Sequence, residues 1–442
     1  MRCVTAVLLT LAFSSFGEDL SDSSGIDVIE VFRAETPGDL EASLSDGYPM
    51  PWLEEILNDG SIPEEDRYWL DCRVRAVIAQ DLHLFFDREG NPVHVEADWI
   101  RPGEDYWREN FIVNPPGEPF LFSTPDRPSN VTSEPGFVVN RFGEEVGRLA
   151  MTDEDIRLSR DGSIGVTCSG LPSDYFYLRP VSTPTYACIL YSDGSFKEVK
   201  IGFSDDDFYA ISNDGNTIVV ASYLPVESFD DYEKGSMLWI LNRDGSIKST
   251  FEADAGPQNS PVAVSATGKY VAYVSSPFEN NFRTFLFNGV TGNQINCFDG
   301  IVGHYLYFTP NEKYFCIMGL SAQALVSTSV DQPLIYDCDN SETVWEMEVS
   351  EANRSYSFLN CDNNAQTVVM REFIRGRPTI SQQLIYDIES HDINILHIDA
   401  GLIQISPNAG FTMSQNYTEL RNSTNETLCS TPLVVCRIGG GR

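Results

Sequence analysis

The stretch PVAVSATGKYVAYVSSPFENNFRTFLFNGVTGNQINCF, residues 261–298, contains two strand–turn–strand phrases in succession. The first, PVAVSATGKYVAYVS (261–275), places a serine before a tight turn of small residues. The second, TFLFNGVTGNQINCF (284–298), turns at Thr-Gly. Both flanks of each turn are rich in Val, Tyr and Phe, the residues that fit a half-buried or buried strand. Glycine and asparagine supply the positive φ that a tight turn between strands requires. The second phrase recurs at 82–96, 136–150, 186–200, 237–251, 333–347 and 383–397. Its turns centre on Gly90, Gly143, Gly194, Gly245, Gly292, Asn340 and Ser390, about 50 residues apart. The first phrase recurs at 155–168, 208–222, 305–319, 355–370 and 402–414.

One phrase of each kind makes a four-stranded unit, and such units repeated radially make the blades of a β-propeller. The expected fold is therefore all-β, a seven-bladed propeller with six and eight blades as alternatives, preceded by a short helical extension. The seven inner strand pairs fall at 109–124, 155–168, 207–222, 261–275, 304–319, 355–371 and 401–414. The first hairpin, 82–96, has no inner pair before it, and the last inner pair has no hairpin after it. The economical expectation is that the 82–96 hairpin completes the final blade and removes the open sheet edges.

The turns Ser-Arg-Asp-Gly (159–162), Ser-Asn-Asp-Gly (212–215) and Ser-Ala-Thr-Gly (265–268) resemble those of WD-repeat-like and TolB-type propellers. The resemblance covers residues 82–415 and implies the fold, not an activity. No Trp-Asp dipeptide ends a blade, and too few residues precede the first hairpin for the α/β domain that TolB carries.

The chain opens with Met1-Arg2, an apolar run over 3–13 and small residues at 14–17, the pattern of a secretory signal peptide over 1–17. The run is too short to span a bilayer, so no membrane insertion is expected. A secreted or periplasmic protein follows. Residues 18–81 read as an extension with two helices. The first covers 51–58 and stops at Asp59-Gly60. The second is capped by Ser61 with Glu64 in a capping box, and carries an apolar stripe of Leu70, Val74, Val77 and Ile78. Residues 416–442 read as a polar tail prone to fraying, with a last strand as the alternative. The 65 acidic residues against 29 Lys and Arg give a net charge of −36. That charge repels phosphate backbones and excludes nucleic acid as a partner. Of ten cysteines, Cys3 leaves with the signal. Cys168, Cys316 and Cys361 read as strand residues among apolar neighbours, and Cys429 with Cys436 as a local disulfide.

Short repeating turns occupy one end of each blade, so the irregular loops emerge at the other, where binding residues concentrate. Those loops carry Tyr106, Trp107 and Arg108; Tyr175, Tyr177 and Arg179; Phe229 and Tyr232; Phe282 and Arg283; and Arg371, Arg375 and Arg377. Aromatic residues mixed with arginine have the composition of a binding surface. Asp153, Asp155, Asp206 and Asp207 precede inner strands and are the candidate ligands for Ca²⁺, which takes six to eight oxygens. No other cofactor is expected. Nucleophile elbow, HExxH, phosphate loop and dinucleotide glycine pattern are all missing from the sequence. The expected function is a non-catalytic scaffold that binds a protein or carbohydrate partner. The alternative is a polysaccharide lyase or glycosidase using acids and aromatics around the central channel.

Overall fold

The structure is a computed structural model. It describes residues 26–31, 51–82, 85–86, 88, 92–93, 111–113, 120–122, 136–149, 156–169, 185–223, 235–253, 262–275, 283–299, 301–321, 331–347, 354–374, 380–396, 398–399, 403–421 and 427–438. Two compact units divide the chain: Cys72–Ala352, and Asn353–Arg442 with Met1–Asp71. The fold is an all-β propeller of four-stranded antiparallel blades, five in the first unit and two in the second.

Strand β1 (Ile26–Val31) and helices α1 (Pro51–Asn58) and α2 (Glu64–Leu82) open the chain. A small hairpin, β2 (Phe85–Phe86) with β3 (Pro92–Val93), follows. Blade 1 is β4 (Phe111–Val113), β5 (Phe120–Phe122), β6 (Gly136–Val139) and β7 (Glu145–Leu149). Blade 2 is β8 (Arg157–Leu158), β9 (Ile164–Ser169), β10 (Thr185–Tyr191) and the first half of β11 (Phe196–Ile211). The second half of β11 opens blade 3, with β12 (Thr217–Tyr223), β13 (Ser236–Asn242) and β14 (Ile247–Ala253). Blade 4 is β15 (Val262–Val264), β16 (Tyr270–Ser275), β17 (Arg283–Asn288) and β18 (Gln294–Asp299). Blade 5 is β19 (Ile301–Phe308), β20 (Tyr314–Ser321), β21 (Asp331–Asp337) and β22 (Glu342–Glu346).

In the second unit, blade 6 is β23 (Arg354–Cys361), β24 (Thr367–Ile374), β25 (Ile380–Asp387) and β26 (Ile393–Leu396). Blade 7 starts with β27 (Ile398–Asp399) and β28 (Ile403–Ile405), both paired to β29 (Phe411–Arg421). It continues with β30 (Thr427–Ile438) and ends on β1. The seven expected inner pairs are all present as strand pairs.

The closure of the last blade corrects the expectation. β1, not the 82–96 hairpin, supplies its fourth strand, pairing Ile26 with Ile438 and Val31 with Val434. The physical reason is local. β1 reads IDVIEV, rich in β-branched residues, whereas β3 begins at Pro92, which has no N–H to give to a ladder. In the C-terminal stretch the alternative of a last strand holds over 427–438, a twelve-residue strand. That strand also excludes the local disulfide. Cys429 pairs with Leu420 and Cys436 with Thr412 on one extended segment. Seven residues of strand span roughly 23 Å, far beyond the ~4.4–6.8 Å Cα separation of a disulfide. Cys168, Cys316 and Cys361 are buried in strands and form no disulfide.

Burial runs across each blade in the order the sequence dictates. The second strand of blade 4 is the clearest case, with all six residues of β16 buried. The fourth strands carry charge, and β22 is almost wholly exposed. Blades pack face to face through these apolar strands. Val138, Leu149, Ile156, Leu158 and Leu190 join blades 1 and 2. Val219, Leu238, Val271 and Tyr273 join blades 3 and 4, and Leu286, Phe298, Phe315 and Tyr336 join blades 4 and 5. Phe298 meets Tyr336 edge-on at 5.1 Å, a favoured aromatic geometry.

The serine of the first phrase explains its own recurrence. Ser212 Oγ accepts the Thr217 N–H at 3.0 Å and donates to Asp214 at 2.6 Å. Ser159, Ser265, Thr309 and Ser406 accept the N–H five residues on in the same way. In blade 6 Asp362 takes this role toward Thr367 at 2.9 Å. Neighbouring turns are then tied together. Arg160 N–H donates to the Asn213 carbonyl at 2.8 Å, and Asn363 N–H to the Pro407 carbonyl at 2.7 Å. Glu312, held at φ 62, accepts from both the N–H and the hydroxyl of Thr267.

Helix α1 ends where expected, but the capping box does not form. Ser61 donates its hydroxyl and N–H to Asp59 Oδ1 at 2.6 and 2.9 Å. Pro63, whose carbonyl receives the Arg67 N–H at 3.1 Å, starts α2 instead. Leu70 and Val74 are fully buried as expected, yet Asp71, Cys72 and Arg73 between them are buried too. The helix is covered all round at this level, not along one stripe. The Asp66 carboxylate accepts the Asn408 N–H at 2.8 Å, doing for the blade 7 turn what a neighbouring turn does elsewhere.

Candidate functional site

Blade 6 departs most from the repeat, and it does so at the end opposite its tight turn. There β23 begins at Arg354, which pairs with Ile374 at the end of β24, and Ile374 pairs in turn with Ile380 at the start of β25. The register sets Tyr356, Glu372 and Gln382 side by side on three adjacent strands. Glu372 has no exposed surface, and both its oxygens are engaged. Oε1 accepts from Arg354 Nη1 at 2.8 Å and from the Tyr356 hydroxyl at 3.0 Å. Oε2 accepts a short bond from Gln382 Nε2. Burial, followed by the Glu372 charge, pushes the Tyr356 phenol up to about 12. The carboxylate is thus a buried acceptor saturated by three donors, one of them cationic.

The alternation of a strand puts Arg371 and Phe373 on the opposite side from Glu372. The Arg371 guanidinium lies over the Phe373 ring, 4.6 Å from its centroid. Arg371 pairs in register with Gln383, whose Nε2 is buried without a hydrogen-bond partner.

Of the residues singled out from the sequence, Arg371 and Arg283 have described side chains. Arg283 opens β17, is exposed, and pairs with Asp299 at 3.1 Å. The two lie on different blades, in different units. Asp206 and Asp207 belong to strand β11, not to a loop; they sit where its register shifts between Phe203 and Phe208. Tyr106, Trp107, Arg108, Tyr175, Tyr177, Arg179, Phe229, Tyr232, Phe282, Arg375, Arg377, Asp153 and Asp155 lie outside the described residues. Among the described residues no group of three or more His, Cys, Asp or Glu is placed to hold a metal ion.

Tyr356, Glu372 and Gln382 were not singled out by the sequence reading. One signal was available. β24 reads TVVMREFI, and the position Glu372 takes, ten residues after the Asp or Ser that caps the tight turn, is the small Ser275 in blade 4. A glutamate at such a position needs buried partners.

No family model and no curated protein matches the chain. Among solved structures, a eukaryotic initiation factor is 14% identical, with a TM-score of 0.45, over 75% of this chain and 81% of that one. A periplasmic gluconolactonase from Pseudomonas aeruginosa is 13% identical, with a TM-score of 0.39, over 69% and 93%. TolB from Acinetobacter baumannii is 14% identical, with a TM-score of 0.32, over 63% and 64%. At these levels nothing about activity is carried over.

Proposed function

We propose that the protein is an exported propeller scaffold, secreted or periplasmic, that holds a protein or carbohydrate partner on the loops opposite its tight turns. The observation that carries this reading is the Glu372 cluster. It ties together β23, β24 and β25 at the end where β24 stops at Ile374 and β25 starts at Ile380, the sequence between them carrying Arg375 and Arg377. A site on rigid strands loses less entropy on binding than one on a free loop. With Oε1 and Oε2 both filled by donors, Glu372 acts as a strut and not as a proton carrier. Export rests on the sequence pattern of residues 1–17.

Replacing Arg371, Arg375 and Arg377 by alanine, with Tyr175 and Tyr177 replaced in a second variant, tests the reading. Each variant is expected to keep the wild-type thermal midpoint within a few degrees while losing capture of exported proteins or binding to a polysaccharide panel. Capture retained by both variants sinks the proposal. Release of sugars from any polysaccharide of that panel would replace it with an enzymatic one.

A further inference from the structure

Asparagine occurs at both ends of the blades, but in different sequence contexts. The tight turns hold Asn140, Asn213, Asn242, Asn288, Asn340 and Asn408. Asn140 and Asn288 cap their own turns, accepting the Phe142 and Thr291 N–H groups at 2.9 Å. No tight-turn asparagine has Ser or Thr two places on. The triplet Asn-x-Ser/Thr occurs instead at Asn130, Asn353, Asn416, Asn422 and Asn425. Asn130 lies between β5 and β6, Asn353 between β22 and β23, and Asn422 and Asn425 between β29 and β30. Within an antiparallel blade the tight turns share one end, so these connections belong to the other. Asn416 stands in β29, on the way to that end.

The loop-end connections also divide by content. Residues 170–184 carry Tyr175, Tyr177 and Arg179, residues 224–235 carry Phe229 and Tyr232, and residues 375–379 carry Arg375 and Arg377. None of these contains the triplet. The connections that contain it, 123–135, 347–353 and 422–426, carry none of the candidate binding residues.

Blade 7 adds a backbone feature. In β29 the pairing with β30 shifts between Gln415 and Thr418, so Asn416 and Tyr417 oppose only Pro432, which has no N–H to give. On the other flank β28 reaches Ser414 and β27 resumes at Glu419, so Asn416 is in register with neither. The sequence around Asn416 is thus released from the ladder on both sides. Beyond it the Arg421–Thr427 pair closes the connection that carries Asn422 and Asn425. A bulky glycan needs a surface site where no ladder has to be broken to hold it.

We propose that blade 7 is a glycan-bearing blade, with N-linked oligosaccharide on Asn416 and on Asn422 or Asn425. The donor is an oligosaccharide carried on a lipid diphosphate. A bond forms between the sugar C1 and the asparagine Nδ2, the C1–O bond to the diphosphate breaks, and the amide gives up one proton. The lipid diphosphate is the leaving group. Such a modification requires export, and so rests on that part of the proposed function. It leaves bare the connections that carry the aromatic and arginine residues.

The test takes the full chain from the organism that makes it and reads its peptides by mass spectrometry, before and after peptide N-glycosidase. The peptides holding Asn416 and Asn422–Asn425 should carry a sugar mass that the enzyme removes, leaving Asp at each occupied position. Thr418→Ala, which keeps Asn416 and destroys its triplet, should lose the modification at Asn416 and retain it in the 422–426 connection. Unmodified peptides at all three asparagines overturn the proposal, as does modification of Asn416 that survives Thr418→Ala. The same spectra read the start of the chain. A start beyond residue 17 with bare asparagines sinks the glycan alone, whereas an intact Met1 sinks export and the glycan with it.

Discussion

Blades 4 and 6 are built on the same four-strand plan and solve it with different chemistry. Blade 4 buries tyrosine, valine and alanine along β16, and turns through Ser265 and Gly268, the glycine at φ 73. Blade 6 buries Glu372, Gln382 and Gln383, and turns through Asp362 and Ala365, the alanine at φ 53. Blade 4 follows the repeat at every level, so local preference and packing agree. Blade 6 violates it twice, once at each end. A violation that the fold retains is where function is sought, since scaffolds gain nothing from a buried carboxylate that apolar packing would not supply.

The largest expected effect sits in blade 6. Glu372→Ala leaves Arg354, Tyr356 and Gln382 without their common acceptor and should cost about 3–5 kcal/mol by denaturant unfolding. A cost below 1 kcal/mol would show that the cluster is incidental. Next comes Gly268→Ala in blade 4. An added Cβ would meet Thr217 Oγ1 and Cβ of the preceding blade at 2.1 and 2.4 Å, at a φ that L-residues resist. The expected loss is about 2–3 kcal/mol, read as a lowered denaturation midpoint. Ser265→Ala, which strips the buried Tyr270 N–H of its acceptor, should cost about 1–2 kcal/mol in the same assay.

Smallest, and opposite in sign, is Ala365→Gly. Relief of the left-handed backbone, less the entropy of the added glycine, should stabilise the protein by about 0.5–1 kcal/mol. If it destabilises instead, the two turns are not equivalent and the comparison fails. The pH dependence sharpens the contrast further. In the folded protein Tyr356 holds its proton up to about pH 12, whereas an unfolded tyrosine releases it near pH 10. Over that window the native state binds more protons, so stability falls as pH rises. Tyr356→Phe should flatten the fall in thermal midpoint between those two values.

Much of this was legible in advance where local chemistry is sufficient. The hairpin turns lie where Gly143, Gly194, Gly245 and Gly292 adopt positive φ. In the two hairpins without glycine the left-handed residue is Ser341 or His391, one place beyond the expected centre, because no residue there announces itself by type. The capping box at Ser61 failed because Asp59 competes for the same hydroxyl and Pro63 starts the helix without needing a cap. Pairing partners far apart in sequence were the least legible. Nothing in IDVIEV names residues 434–438 as its neighbour.

The sequence by itself determined the period, the strand pairs within each blade and the serine-capped turns, since each of these depends on residues a few positions apart. The tertiary structure alone decided what closes blade 7, what covers α2 on all sides, and which donors gather on Glu372. Those outcomes depend on burial and on the balance of charge within it, and both are set only when strands and helices distant in the chain come together.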